Sequence, residues 1–200
     1  DTICHEHLEY YGLAQIEWIL EHAGLRLIDV STSAVNGGSF AITAAHRAAR
    51  YPVQHAAIDA LRAREAALAL GSDAPYAAFA ARVLEHRRRL RDLLASLTVQ
   101  GRTVLGYGAS TKGNVVLQYC GIGPELLPAI ADVNSDKFGC VTPGTHIPIV
   151  SEAEAHARRP DYLLVLPWHF RDNLVVRERE VLARGGRMIF PLPAVEIVAG

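Results

Sequence analysis

Beyond Gly101 the sequence switches repeatedly between two periods, and no other feature limits the fold so strongly. The short apolar runs RTVLGYG, LPAIADV, IPIV, DYLLVLPW and RMIF are separated by stretches of helical character, among them VVLQYC, SEAEAHA and a charged segment from Asn173 to Ala183. Strands covered on both faces read as continuous apolar runs, and strands that alternate with helices build parallel sheets with crossovers. The expectation is an α/β fold with a Rossmann-like parallel sheet.

The region before it follows another pattern. Leu13, Ile16, Ile19, Leu20 and Ala23 recur at helical spacing, and Gly24 supplies a stop. LRLIDVSTSA and SFAITAA then alternate apolar with polar residues around the Asn-Gly turn of AVNGGS, which predicts two antiparallel strands. A helix and a hairpin cannot close a core alone, so further sheet is expected upstream. Residues 54 to 70 and 75 to 97 are rich in helix formers and are parted by GSDAP, giving two bridging helices. Arg87, Arg88, Arg89 and Arg91 lie on the second of these and are expected to form a solvated face rather than a phosphate patch.

Composition narrows the function classes. The 200 residues carry 20 Lys+Arg against 21 Asp+Glu, for a net charge of −1, and half are apolar. Such a chain can bury a core, and its balance argues against broad attraction to nucleic acid or to an anionic membrane. An anion site must be built locally from a few donors. Cys4, Cys120 and Cys140 form no CxxC pair, which predicts a reducing, cytoplasmic setting and no structural zinc within these residues. No apolar run approaches the roughly 18–20 residues of a membrane helix. The chain opens on DTICHEH with no initiator Met, so it is expected to be a piece of something longer.

The local donors are found in Gly106-Tyr107-Gly108-Ala109-Ser110-Thr111-Lys112-Gly113-Asn114, which follows an apolar strand and precedes an apolar helix. In that context backbone amides and a helix N-terminus can receive phosphate oxygens. The glycines would admit close approach of a ligand, Ser110 and Thr111 can donate from their hydroxyls, and Lys112 adds positive charge. A P-loop needs Ser or Thr after the Lys, whereas Thr111 precedes Lys112 here, so a kinase or ATPase is not expected. Asp132 stands where a dinucleotide fold places its ribose-binding acid, but the third glycine is displaced to Gly113. An NAD site therefore stays open as an alternative, as does a purely structural turn with Asp132 as a strand-end residue.

A second cluster lies in Cys4-His5-Glu6-His7. Histidine beside a carboxylate suits acid–base chemistry, because the imidazole takes a proton near neutral pH and the carboxylate fixes its tautomer. Cys4, His5 and His7 could ligate a metal, but the spacing is not HExxH and no further ligand cluster accompanies them.

Together DTICHEHLEYY, VNGGSF, GYGASTKGNVVLQYCGI, ADVNSDKFG, PGTHIPIV, PDYLLVLPWHF and GGRMIFPLP resemble the C-terminal half of the sugar C-methyltransferases, enzymes that use S-adenosylmethionine to methylate a carbon of dTDP-linked keto-deoxysugars. The resemblance implies that residues 1–46 are the last helix and hairpin of an incomplete methyltransferase fold, 47–100 a helical connector, and 101–200 a Rossmann-like nucleotide-sugar-binding domain. It implies that S-adenosylmethionine is bound mainly by an upstream domain, that zinc belongs only to an N-terminal module beyond these residues, and that residues 1–200 alone do not catalyse. His7 would be the general base that removes the proton beside the sugar ketone, with Glu6 assisting. Gly108, Ser110, Thr111, Lys112 and Asn114 would hold the substrate diphosphate, and Trp168 is a candidate for stacking on the thymine. The family usually has Tyr where this chain has Cys4 and Asn where it has His169. Trp168, Tyr107 and His146 are each open to a core or a binding role. The alternative from another class is a non-catalytic module that binds a nucleotide-sugar or NAD; an assembly role with a structural Gly-loop is the third.

Overall fold

A computed structural model describes residues 7–34 and 38–200. The chain divides into two compact units, Asp1–Arg82 and Val83–Gly200.

In the first unit, α1 (Leu13–His22) leads into the antiparallel strands β1 (Leu25–Ser33) and β2 (Ser39–His46), paired from Leu25 opposite His46 to Ser33 opposite Ser39. The Asn36-Gly37 turn expected between them lies outside the described residues. The register shifts between Leu27 and Asp29, and the Ile28 carbonyl there accepts from the Gln54 amide (2.8 Å), just before α2 (His55–Ala67). Leu13, Val30, Ile58 and Leu61 form the buried core. Glu65 of α2 takes the Leu13 amide on both carboxylate oxygens at 2.8 Å, so a carboxylate stands at the positive end of α1.

α3 (Ala74–Val99) is common to both units, and its later turns bury Leu90, Leu94 and Leu97 in the second. Three of its arginines are engaged locally. Arg88 pairs with Glu85 (2.7 Å) and Asp92 (3.0 Å), Arg87 lies over the Tyr119 ring, and Arg91 donates to the Cys120 carbonyl (2.7 Å).

The second unit is a six-stranded sheet in the order β5-β4-β3-β6-β7-β8, with β3 (Val104–Tyr107), β4 (Ile130–Asp132), β5 (Ile149–Ser151), β6 (Tyr162–Val165) and β7 (Arg187–Phe190) all parallel. This is the α/β, Rossmann-like fold that the alternation predicts. β8 (Glu196–Ala199) adds an antiparallel edge. Its four residues, with one half-buried side chain, carry almost no periodic signal in the sequence. α4 (Thr111–Cys120) packs on one face with Leu90, Leu94 and Leu97, whereas α5 (Glu152–Ala157) and α7 (Arg179–Ala183) pack on the other. The expected single charged helix from Asn173 to Ala183 is two, α6 (Arg171–Arg177) and α7, parted at Glu178. Glu178 turns its carboxylate inward to polar partners, and the helix breaks there.

From β3 the chain winds outward through β4 to β5, then returns to the other side of β3 at β6. The helices that follow β3 and β6 consequently pack on opposite faces, and at such a switch point a doubly wound sheet places its ligand crevice, at the carboxyl ends of the strands.

Candidate functional site

The glycine-rich loop leaves β3 at that crevice. Gly108 has φ +80°, and a Cβ on it would stand 2.7 Å from the Pro167 ring. A Cβ on Gly113 would stand 2.4 Å from the Leu166 Cβ. Both glycines let the loop and the start of α4 close onto the segment after β6.

Ser110 caps α4, its Oγ accepting from the Gly113 amide at 3.0 Å while its carbonyl accepts from Asn114. With Gly113 satisfied in this way, helix geometry leaves the Thr111 and Lys112 amides without an intrahelical acceptor, at the positive end of the helix. At the opposite end Gly121 takes the left-handed conformation (φ +61°) and Arg91 donates to the terminal carbonyls. The Asn114 Oδ1 is buried and has no hydrogen-bond partner.

Across the crevice Trp168 is half-buried, packs against the apolar layers on both faces of the sheet, and is covered by His169, with ring centroids 4.7 Å apart. Burial pushes the His169 pKa down, and the nearby Lys112 ammonium lowers it further. The loop lysine and the turn after β6 thus share one electrostatic environment.

Asp132, which ends β4, is committed internally. Its Oδ2 accepts from the Ala109 amide (2.8 Å) and Lys137 Nζ (3.1 Å), and its Oδ1 accepts from the Asn134 amide (2.8 Å). Burial works to raise its pKa, but the Asn134 amide, the Lys137 ammonium and the Ala109 amide outweigh it and hold the carboxyl below the ordinary aspartate range. Lys137 also donates to the Ala109 carbonyl at 3.0 Å. The two side chains clamp the loop from behind. Sequence reasoning missed Lys137; the signal was Asn134, whose side chain caps the turn at Ser135–Lys137.

Tyr107 is a core residue, its hydroxyl donating to Glu178 at 2.7 Å. His146 is not a core residue. It is exposed with φ +55° on the turn before β5, where the neighbouring Pro143 carbonyl accepts from Gln118. His7 belongs to the first unit, is exposed, and meets Tyr10 edge-on at 6.1 Å between centroids. Glu6, His5 and Cys4 lie outside the described residues. Among the described residues no cluster of three His, Cys, Asp or Glu could hold a metal ion, and no helix is long and apolar enough to cross a membrane.

Two cavities lie elsewhere in the chain. A cavity of about 410 Å³ lies in the first unit beside Ile28, Thr43 and Tyr51. Another of about 370 Å³ lies between Arg159, Asp161 and Arg184 at the amino end of the sheet. Topology and unsatisfied donors mark the glycine-rich loop.

Residues 34–193 match the family described as C-methyltransferase C-terminal domain. Over 199 residues the chain is 37% identical to the C-methyltransferase NovU of Streptomyces niveus, an alignment that takes in 100% of this chain and 47% of NovU. The chain spans about half the length of that curated relative.

Proposed function

The chain belongs to the C-methyltransferase C-terminal domain family, and on that premise we propose that it holds the general base and the nucleotide-sugar site of an S-adenosylmethionine-dependent enzyme methylating a carbon beside the ketone of a dTDP-linked keto-deoxysugar. One observation carries the substrate half of this reading. At the point where the sheet reverses its winding, the open amides of Thr111 and Lys112 and the Lys112 ammonium share a crevice with Trp168 and His169. Anion donors beside an aromatic wall suit a diphosphate joined to a planar base.

We assign residues 1–46 to the end of the methyl-donor domain, 47–100 to a connector and 101–200 to nucleotide-sugar binding. The diphosphate lies on the N-terminus of α4, with Thr111 and Lys112 donating, Ser110 adding its hydroxyl proton, and Gly108 and Gly113 keeping the loop closed on Pro167 and Leu166. Asn114 lines the same helix turn, and Trp168 packs against the base. His7 removes the proton from the carbon beside the ketone, leaving an enolate whose carbon is nucleophilic, and Glu6 orients and stabilises the imidazolium. S-adenosylmethionine, when bound, supplies an electrophilic methyl group on a sulfonium. We place its binding, and any zinc module, on the length of the relatives that this chain does not span, so residues 1–200 alone do not catalyse.

Asp132 tells against the dinucleotide reading, since its oxygens already accept three internal donors and are not free to take both ribose hydroxyls. Calorimetric titration with dTDP, S-adenosylmethionine and NAD tests the proposal. Saturable dTDP binding that weakens in Lys112→Ala is expected. NAD binding in its place, or indifference of dTDP binding to the substitution, would overturn it.

A further inference from the structure

One buried carboxylate ties the end of β3 to the crossovers that carry α5 and α6–α7. Glu178, only 3% exposed, accepts from the Tyr107 hydroxyl at 2.7 Å and meets His156 Nε2 at 2.9 Å. Tyr107 is the last residue of β3, directly before Gly108. His156 comes from α5, and Glu178 stands at the break between α6 and α7, the helices that follow the Trp168–Phe170 turn. Glu152 of α5 faces the same phenol and pairs with Arg177 of α6.

Such an arrangement is costly unless it positions something. A buried carboxylate must be desolvated, and apolar packing of the same volume is commonly as stable. Glu178 also interrupts what would otherwise be one helix. Burial, and then the Glu178 and Glu152 carboxylates, push the Tyr107 pKa up, so the phenol keeps its proton and remains a donor. The glycine-rich loop and the segment after β6 are in direct contact where they leave the sheet: the Leu166 amide donates to the Tyr107 carbonyl at 3.0 Å, and Pro167 fills the space beside Gly108.

We infer that Glu178, through Tyr107 and His156, is a positioning residue that fixes the glycine-rich loop against the Trp168–His169 turn and so sets the span of the nucleotide-sugar crevice. The inference rests on the reading of that crevice as the nucleotide-sugar site. Glu178 touches no ligand. It holds the base of one wall to the helices that carry the other, and a displacement of even an ångström at a binding or reacting centre costs heavily.

The test uses the full chain with dTDP as probe, comparing Tyr107→Phe, which removes only the hydroxyl, with Glu178→Gln. Both are expected to weaken dTDP binding roughly tenfold and to shift the Thr111 and Lys112 amide and Trp168 indole resonances in the ligand-free protein. A purely structural network would lower the melting temperature and leave those resonances and the affinity unchanged, which overturns the inference while the dTDP site stands. Should a core variant lose its cooperative melt, His156→Gln removes the part-exposed member and is judged by the same signals. Failure of the unaltered chain to bind dTDP would overturn the site and this inference together.

Discussion

The two ends of the parallel sheet in the second unit both carry basic side chains, yet they set the neighbouring backbone amides differently. At the amino end Arg102 pairs with Asp161 at 3.2 Å and Arg187 lies over Tyr162. Arg159 and Arg184 there flank an open cavity on backbone that follows the ends of α5 and α7. Their neighbouring amides are occupied: Arg159 donates to His156, Gly185 to Leu182 and Gly186 to Val181. At the carboxyl end a single lysine stands at the start of a helix whose first amides lack intrahelical acceptors. Helix polarity and backbone donors, more than the number of cations, distinguish a receptor from a charged rim.

The most disruptive way to break this comparison is Gly113→Ala. The added methyl has no room beside Leu166, so a loss of about 1–3 kcal/mol is expected, read by chemical denaturation together with loss of dTDP binding. Asp132→Asn should cost a similar or smaller amount, about 1–3 kcal/mol, by weakening the clamp behind Ala109. The sign with pH is fixed. The depressed carboxyl stabilises the fold above its unfolded pKa, and that contribution is lost as pH falls through the lower folded value. Acid titration of stability should therefore be flatter in the Asn variant.

Lys112→Ala should leave stability nearly unchanged and weaken dTDP binding by roughly tenfold or more. It should also move the His169 pKa upward, because a repelling charge is removed, and an imidazole NMR titration reads this directly. A smaller effect follows from His169 itself. Its lowered pKa means that the unfolded chain binds the proton more readily, so this group's contribution is present above its ordinary pKa and is lost as pH falls below it. An anion in the crevice reverses the preference, and affinity for a dTDP-sugar should rise as pH falls through the folded pKa of His169. Arg184→Ala is the control at the other end and should change dTDP affinity less than about twofold; a loss matching that of Lys112→Ala would erase the contrast between the two ends.

The sheet and the loop were legible because both are written in local sequence. Apolar runs such as DYLLVLP announce doubly covered strands, and Ser110 ahead of an apolar helix announces a cap. What stayed hidden depends on residues distant in the chain. Nothing in Gly113 tells that Leu166 occupies the space its side chain would need, and nothing in Lys137 tells that it reaches back to Ala109. Asp132 reads in sequence as either a ribose ligand or a strand-end residue because its position at the end of β4 is legible, whereas the three donors that engage it are not. The break at Glu178 was concealed because Asn173 to Ala183 are acceptable helix formers throughout, and only the distant Tyr107 and His156 explain the interruption. Glu6, assigned through family resemblance, rests on that alone.

The carboxylate of Glu65 on the Leu13 amide has a consequence for exchange with solvent. A first-turn amide ordinarily trades its hydrogen freely, since no preceding carbonyl holds it. Here Leu13 is fully buried and its N–H is held by a side chain from another helix. Deuterium should enter at Leu13 only when α1 and α2 separate, so one amide at the start of the first helix reports the opening of the whole small core around Val30 and Ile58.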